Sequence, residues 1–209
     1  MSDPKEVVRA GYDAIAERYN ERAATFETPE LRWVEEVLSR LDDGADVLDL
    51  GCGGGRRAAQ RVAARHRYLG VDISPVQIER ARRQIPQGRF LVADATEFEP
   101  EPESFDAVMS LFVFGHIPRA EQAPLLARVR GWLRPGGWFL TTLGTGGSDD
   151  AVEDDWLGAP MFFASFDPAT NRRLLADAGF DIVQERVITH DEPGHGPVSF
   201  MWVLARRER

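Results

Sequence analysis

The stretch VLDLGCGGGRR, residues 47–57, places four glycines and the chain's single cysteine where a strand hands over to a helix. Gly51 and Gly53 open a Gly-x-Gly-x-Gly run, and Asp49 stands two residues ahead of it. Glycines in such a turn let the backbone approach a ligand closely. A dinucleotide fingerprint would need Gly-x-Gly-x-x-Gly, and its third position holds Arg56. A phosphate loop would need Gly-Lys-Ser/Thr, which does not follow. An acid at a strand end is a poor neighbour for pyrophosphate and a good one for a cation.

Two further acids close later strands. Asp72 ends RYLGVD, 23 residues after Asp49, a spacing suited to gripping both hydroxyls of an adenosine ribose. Asp94 follows RFLVA and can accept from an adenine amino group. The ribose spacing alone fits several adenosine cofactors. Asp94 and the cation-seeking Asp49 narrow the choice to S-adenosylmethionine, which carries an amine and a sulfonium. The competing account makes Asp72 and Asp94 turn or cap residues. Ser74-Pro75 supplies a better cap beside Asp72, while Asp94 keeps both roles open.

His116, in FVFGHIP after the fourth strand, lies at the edge where a group would be delivered. It is the first candidate general base, with His195 and Asp155 behind it; capping the next helix is its alternative role. His66 precedes a strand, away from that edge, and is expected to be structural. His190 and His195 lie in THDEPGHGP, where a polar turn is the simpler account. His190, Asp191, Glu192 and His195 match no helical ligand pair, so no metal is expected. Cys52 is expected to pack, and a lone cysteine excludes an intrachain disulfide.

These residues need elements to hold them. Asp3, Pro4 and Glu6 start a helix that carries Val8, Tyr12, Ile15 and Tyr19 on one face. A second helix from Thr28-Pro29 is expected to bury Leu31, Val34, Leu38 and Leu41. Neither precedes a strand of its own, so both read as an added cap. From residue 46 strands and helices alternate, which predicts a parallel sheet covered on both faces. The helix RAEQAPLLARVRGWL is expected to break or start near Pro124, and a Pro-Gly-Gly turn precedes GWFLTTL. A helix capped by Asp167 follows, then two strands with no helix between them, which implies antiparallel pairing. Residues 144–166 read as a loop folding over a ligand, because Trp156, Met161, Phe162, Phe163 and Phe166 are too many aromatic and apolar groups for a linker. Phe112 and Phe114 join Trp156, Met161, Phe162 and Phe163 as candidate substrate-pocket walls.

The chain has 209 residues, 43% hydrophobic and 28% charged, which suits one domain with a real core. The expected division is a cap at 1–43, a cofactor core at 44–143, an insertion at 144–166 and a tail at 167–209. A net charge of −9 argues against nucleic acid or an anionic membrane as partner. No signal-peptide core or membrane-length apolar run is visible, so a cytoplasmic protein is expected. Oligomeric state is not legible.

VLDLGCGGG, GVDIS, VADATEF, FDAVMSLFVFGHIP and LRPGGWFL, in that order, resemble the class I S-adenosylmethionine-dependent methyltransferases over residues 8–143. YDAIAERY also looks like the amino-terminal cap of their small-molecule members. Arg56 and Arg57 depart from the small or hydroxyl residues often seen after the glycines. The resemblance implies a Rossmann-like, doubly wound α/β sheet of seven mostly parallel strands, the last antiparallel, with an N-terminal helical cap. It implies that Asp49 and Gly51 face the methionine tail, with Gly53 in the same turn, and that Asp72 binds ribose with Ile73 against adenine. Asp94 and the Ala95 backbone would read the adenine edge, Leu111 would touch the methionine portion, and Tyr12 and Tyr19 would close the site. The implied activity is methyl transfer by direct displacement to a small, partly hydrophobic molecule. A same-fold enzyme of non-methylating chemistry and a non-catalytic binding module are the alternatives.

Overall fold

The structure is a computed structural model that describes residues 3–25, 29–55, 57–192 and 196–208. Its main sheet is built from β1 (Asp46–Leu50), β2 (Arg67–Asp72), β3 (Arg89–Val92), β4 (Phe105–Ser110), β5 (Leu133–Gly144), β8 (Phe180–Glu192) and β9 (Gly196–Arg207). The strand order is β3-β2-β1-β4-β5-β9-β8. Pairs from β3 across to β5 are parallel, and β9 is antiparallel to both β5 and β8. Six strands therefore run one way and the last one against them, as the alternation and the helix-free tail imply.

Period-two side-chain alternation divides the core into two layers. Val47, Ala107, Met109 and Leu204 face one way, against α2 (Glu30–Leu38), α3 (Arg57–Ala63) and α4 (Pro75–Gln84). Leu48, Leu50, Val108, Val203 and Ala205 face the other, against α5 (Arg119–Trp132) and α6 (Pro168–Asp177). The α4 start combines a Ser74 cap that accepts from Gln77 N with Pro75 in the first turn. Asp167 caps α6 through Ala169 N and Thr170 N.

Only the first helix is a cap. α1 (Pro4–Thr25) buries Val8 and Ile15, with Tyr12 and Tyr19 packed alongside. α2 instead belongs to the core: Trp33, Val34, Val37 and Leu38 are buried, and Trp33 stacks on Trp202 of β9 at 5.9 Å. Leu31 is exposed and Leu41 only partly buried. The face is set by Trp33, whose ring reaches the sheet where Leu31 cannot. Thr28 lies outside the described residues.

α5 begins at Arg119 and runs through Pro124 without a break. Residues 144–166 are not a loop: they contain the hairpin of β6 (Ala151–Trp156) and β7 (Ala159–Phe163), its turn carried by Leu157 at φ 55° and Gly158 at φ 93°. Two consecutive left-handed residues suit the twist of a tight hairpin. The hairpin packs on α1, where an added Cβ at Gly11 would come 2.7 Å from Met161 Cε.

Candidate active site

The chain leaves β1 to build β2 and β3 on one side, then returns to place β4 and β5 on the other. A doubly wound sheet opens a crevice at that reversal, beyond the carboxyl ends of its strands. Here the crevice is a cleft lined by Gly51 and Gly53 after β1, Asp72 and Ile73 at the end of β2, Asp94 and Ala95 after β3, and Leu111 after β4. Tyr12 and Tyr19 of α1 also line it.

The glycine turn is held by the second acid. Asp72 accepts from Gly53 N at 2.8 Å with one oxygen and from Ser74 N at 2.9 Å with the other. Gly51 and Gly53 take φ of 66° and 57°, where a side chain is strained. A Cβ on Gly51 would lie 2.2 Å from Val113 Cγ2, whereas one on Gly53 would meet nothing within 4 Å. One glycine is required by packing; the other keeps the cleft floor open.

Asp49 does not reach the cleft. It is buried, and its carboxylate accepts from the Tyr68 hydroxyl at 2.6 Å. Tyr68 pairs with Val47 in register, two residues from Asp49, and draws the carboxylate toward its own face of the sheet. The acid thus sits beneath the glycine turn rather than in it. Cys52 is buried against Gly70.

Lys5 and Gln77 line the cleft without having been singled out by pattern. Lys5 Nζ contacts Asp94 at 3.0 Å, Glu121 at 2.8 Å and Thr96 Oγ1 at 2.7 Å. Burial works against its charge, but the bonds to Glu121 and Asp94 outweigh it and hold the ammonium above the ordinary lysine range. Gln77 is 1% exposed; its Oε1 accepts from Asn20 Nδ2 at 2.9 Å while its Nε2 has no partner among the described residues. The Ser74-x-x-Gln77 spacing is a capping-box signal that could have flagged Gln77. Lys5, in a first helical turn, carries no such signal.

A second, wider bay adjoins the cleft, with about 1790 Å³ of empty space including its mouth against about 770 Å³. Trp156 and Phe163 of the hairpin, Phe200 of β9 and the end of β5 wall it. Four residues border both cavities: Tyr12, Tyr19, Phe112 and His116. Phe112 holds φ 62°, an outlier for a bulky residue, with its N–H donating to Thr142 Oγ1 at 2.6 Å.

His116 sits in a short 3-10 turn, Phe114–His116, tied to β7 by Ala164 N donating to Gly115 O at 2.8 Å. Its Nδ1 is 2.9 Å from Phe162 O, which can only accept, so Nδ1 carries the proton. Nε2 is left to accept from the Tyr12 hydroxyl at 2.7 Å. Burial, partly offset by the Phe162 bond, pushes the His116 pKa down to about 4.

Three proposed wall residues are core residues instead. Phe114 packs toward Phe139 between sheet and α5, and Met161 and Phe162 lie under α1. Asp155 is exposed and borders neither cavity, because a register shift between Glu153 and Trp156 puts Glu153 on the bay. His190 and Asp191 are strand residues of β8 rather than turn residues, and His195 and Arg56 lie outside the described residues. His66 is buried at a distance from both cavities.

Residues 47–137, which contain the glycine turn and the three cleft-lining strand ends beyond it, match a family described as a methyltransferase domain. A trans-aconitate 2-methyltransferase of Methylobacterium radiotolerans is 37% identical over 200 residues, covering 86% of this chain and 75% of that protein. The chain belongs to the S-adenosylmethionine-dependent methyltransferases. The trans-aconitate 2-methyltransferase of an Enterobacter strain is 46% identical over 70 residues, a stretch that spans 32% of this chain and only 28% of that relative. The magnesium protoporphyrin IX methyltransferase of Synechocystis superposes over 100% of this methyltransferase and 99% of its own chain, with a TM-score of 0.75 at 17% identity.

The cleft of this methyltransferase suits S-adenosylmethionine. It offers two carboxylates at strand ends, a floor that a Cβ on Gly53 would fill, and the buried, unpartnered amide nitrogen of Gln77. Ile73, Leu111 and the two tyrosines add apolar surface to its lining.

Proposed function

We propose that this methyltransferase carries a methyl group from the cleft to a small molecule held in the bay, by direct displacement. The observation that supports it is the shared wall: Tyr12, Tyr19, Phe112 and His116 border both cavities, so reacting atoms on the two sides meet there. Asp72 would hold the ribose, Ile73 would lie against the adenine, and Asp94 with the Ala95 backbone would take its edge. Gly51, Gly53 and Leu111 would flank the methionine portion. Asp49, held by Tyr68, would act from beneath as a fixed negative charge. When bound, S-adenosylmethionine supplies an electrophilic methyl carbon and a sulfide leaving group. The chain's part is positioning, which can lower a barrier by about 7–11 kcal/mol.

Tyr12 and His116 also offer a route for a proton. An acceptor O–H or N–H that donates to Tyr12 Oη would pass its proton there, as Tyr12 passes its own to His116 Nε2. An oxygen becomes far more acidic than imidazolium as it gains the methyl group, so even a weakly basic histidine can take the proton while the bond to carbon forms. Such a base contributes roughly 10²–10⁴ in rate. Trp156, Phe163 and Phe112 would seat the acceptor.

Residues 1–209 would work as one methyltransferase unit. Among the described residues no helix is long and apolar enough to cross a membrane. A net charge of −9 disfavours nucleic acid as a partner, and the proposed setting is cytoplasmic. Calorimetric titration with S-adenosylmethionine and S-adenosylhomocysteine tests the proposal. Both should bind, and Asp72→Ala should weaken both at least tenfold. Binding of neither would contradict it.

A further inference from the structure

Resting on that reading of the two cavities, we infer that the methyl acceptor is a neutral planar aromatic, a phenol or a ring N–H heteroaromatic, and neither a polycarboxylate nor an ammonium. The walls of the bay carry Arg22 as their one cation-bearing side chain among the described residues, against the carboxylates of Glu30 and Glu153. A tricarboxylate such as trans-aconitate would bring three negative charges to a surface that already has more acid than base. Desolvating carboxylates without partners is strongly unfavourable. The next cation, Lys5, lies in the cleft and is already engaged by Asp94 and Glu121.

The rest of the bay is aromatic or neutral. Tyr12, Tyr19, Phe112, Trp156, Phe163 and Phe200 supply ring faces and edges. Trp156 and Phe163 meet at 5.5 Å and 79°, and Phe112 and Phe200 at 5.0 Å and 86°. Such pairs form corners into which a further flat ring fits by stacking on one ring and meeting the edge of the other. The polar lining is largely hydroxyl: Thr142, Thr145, Ser148, Ser165 and Ser199. These orient uncharged substituents.

The junction excludes an ammonium for a separate reason. An ammonium has no lone pair to give and must first lose a proton, which a histidine held neutral by burial takes poorly. A neutral phenol or N–H ring already has its lone pair. That pair forms the bond to the methyl carbon as the carbon–sulfur bond breaks with its electrons on sulfur. The acceptor's proton leaves through Tyr12 Oη to His116 Nε2, which are 2.7 Å apart.

The test is calorimetric titration of S-adenosylhomocysteine-saturated protein at pH 7.5 with catechol, indazole, trans-aconitate and phenylethylamine. Catechol or indazole should bind at least tenfold more tightly than the other two. Trp156→Ala and the milder Phe163→Leu should weaken that binding several-fold and weaken S-adenosylhomocysteine binding by less. Tighter binding of trans-aconitate or of the amine overturns the inference, as does failure of both aromatic probes on protein that binds S-adenosylhomocysteine. Protein that does not bind S-adenosylhomocysteine overturns the underlying function, and this inference with it.

Discussion

Tyr12 Oη lies 2.7 Å from His116 Nε2, joining the cap helix to the 3-10 turn after the fourth strand, where the two cavities meet. The Phe162 carbonyl fixes the direction of that bond by holding the proton on His116 Nδ1. A hydroxyl and an imidazole from residues 104 apart in sequence become one unit.

Removing either half should slow turnover without releasing the cofactor. Tyr12→Phe and His116→Asn are expected to lower kcat by ~10²–10⁴, the range of general-base catalysis. His116→Asn keeps a donor for Phe162 O, so the turn should persist. Steady-state kinetics alongside S-adenosylhomocysteine titration check this; full kcat in His116→Asn would remove the base from the account.

The His116 pKa of about 4 also sets a pH profile. An ordinary histidine base would switch off near pH 6.5. Here the acid limb of kcat/KM should lie below pH 5. An acid limb centred near 6.5 that vanishes in His116→Asn would show the imidazole to be more exposed than the geometry implies.

Stability should follow the same group. Its folded pKa is lowered, so between pH 6.5 and 4 the unfolded chain takes up a proton that the native state refuses. Stability is therefore unaffected by this group above pH 6.5 and declines as pH falls below it, by on the order of 3 kcal/mol in all. His66 is shifted downward by burial too and adds in the same direction. Urea melts at pH 7 and pH 4.5 should show a smaller loss in His116→Asn than in the wild type.

The two glycines of the turn should separate folding from binding. Gly51→Ala places its Cβ against Val113 at a left-handed φ and should destabilise by roughly 2 kcal/mol or more. Gly53→Ala bears only the backbone strain, about 1–2 kcal/mol, but projects its methyl into open space on the cleft floor. Its loss of S-adenosylhomocysteine affinity should exceed its loss of stability. Thermal melts paired with titration would tell the two apart.

Lys5 should behave as a latch for the cap. Lys5→Met removes two close carboxylate contacts and is expected to cost about 1 kcal/mol, or about 2–4 °C in Tm for a chain of this size. Hydrogen exchange should quicken in the first turns of α1 and not in β1.

Strand ends were legible because glycines and acids fall at intervals that local geometry dictates. The run from Val47 to Gly55, Asp72 after RYLGVD and Asp94 after RFLVA needs no tertiary information to place three loops at one sheet edge. Asp49 was harder: its neighbour in space is Tyr68, a cross-strand relation that the sequence of β1 does not carry. The hairpin in residues 144–166 was hidden because its turn is Leu157-Gly158 rather than Asn-Gly, and its register shift inverted the expected place of Asp155 relative to Glu153. Met161 and Phe162 had the composition of a pocket wall, but the nearest surface to cover was α1. Trp33 moved α2 from cap to core, a choice that depends on Trp202 some 170 residues later.

The central claim is that cofactor and acceptor meet at the wall shared by cleft and bay. A crystal structure of the S-adenosylhomocysteine complex tests it most directly. Ribose should lie at Asp72, adenine between Ile73 and Asp94, and the sulfur should face Tyr12 and His116 across from Trp156. A sulfur turned away from the bay, or a ligand bound outside the cleft, would contradict it.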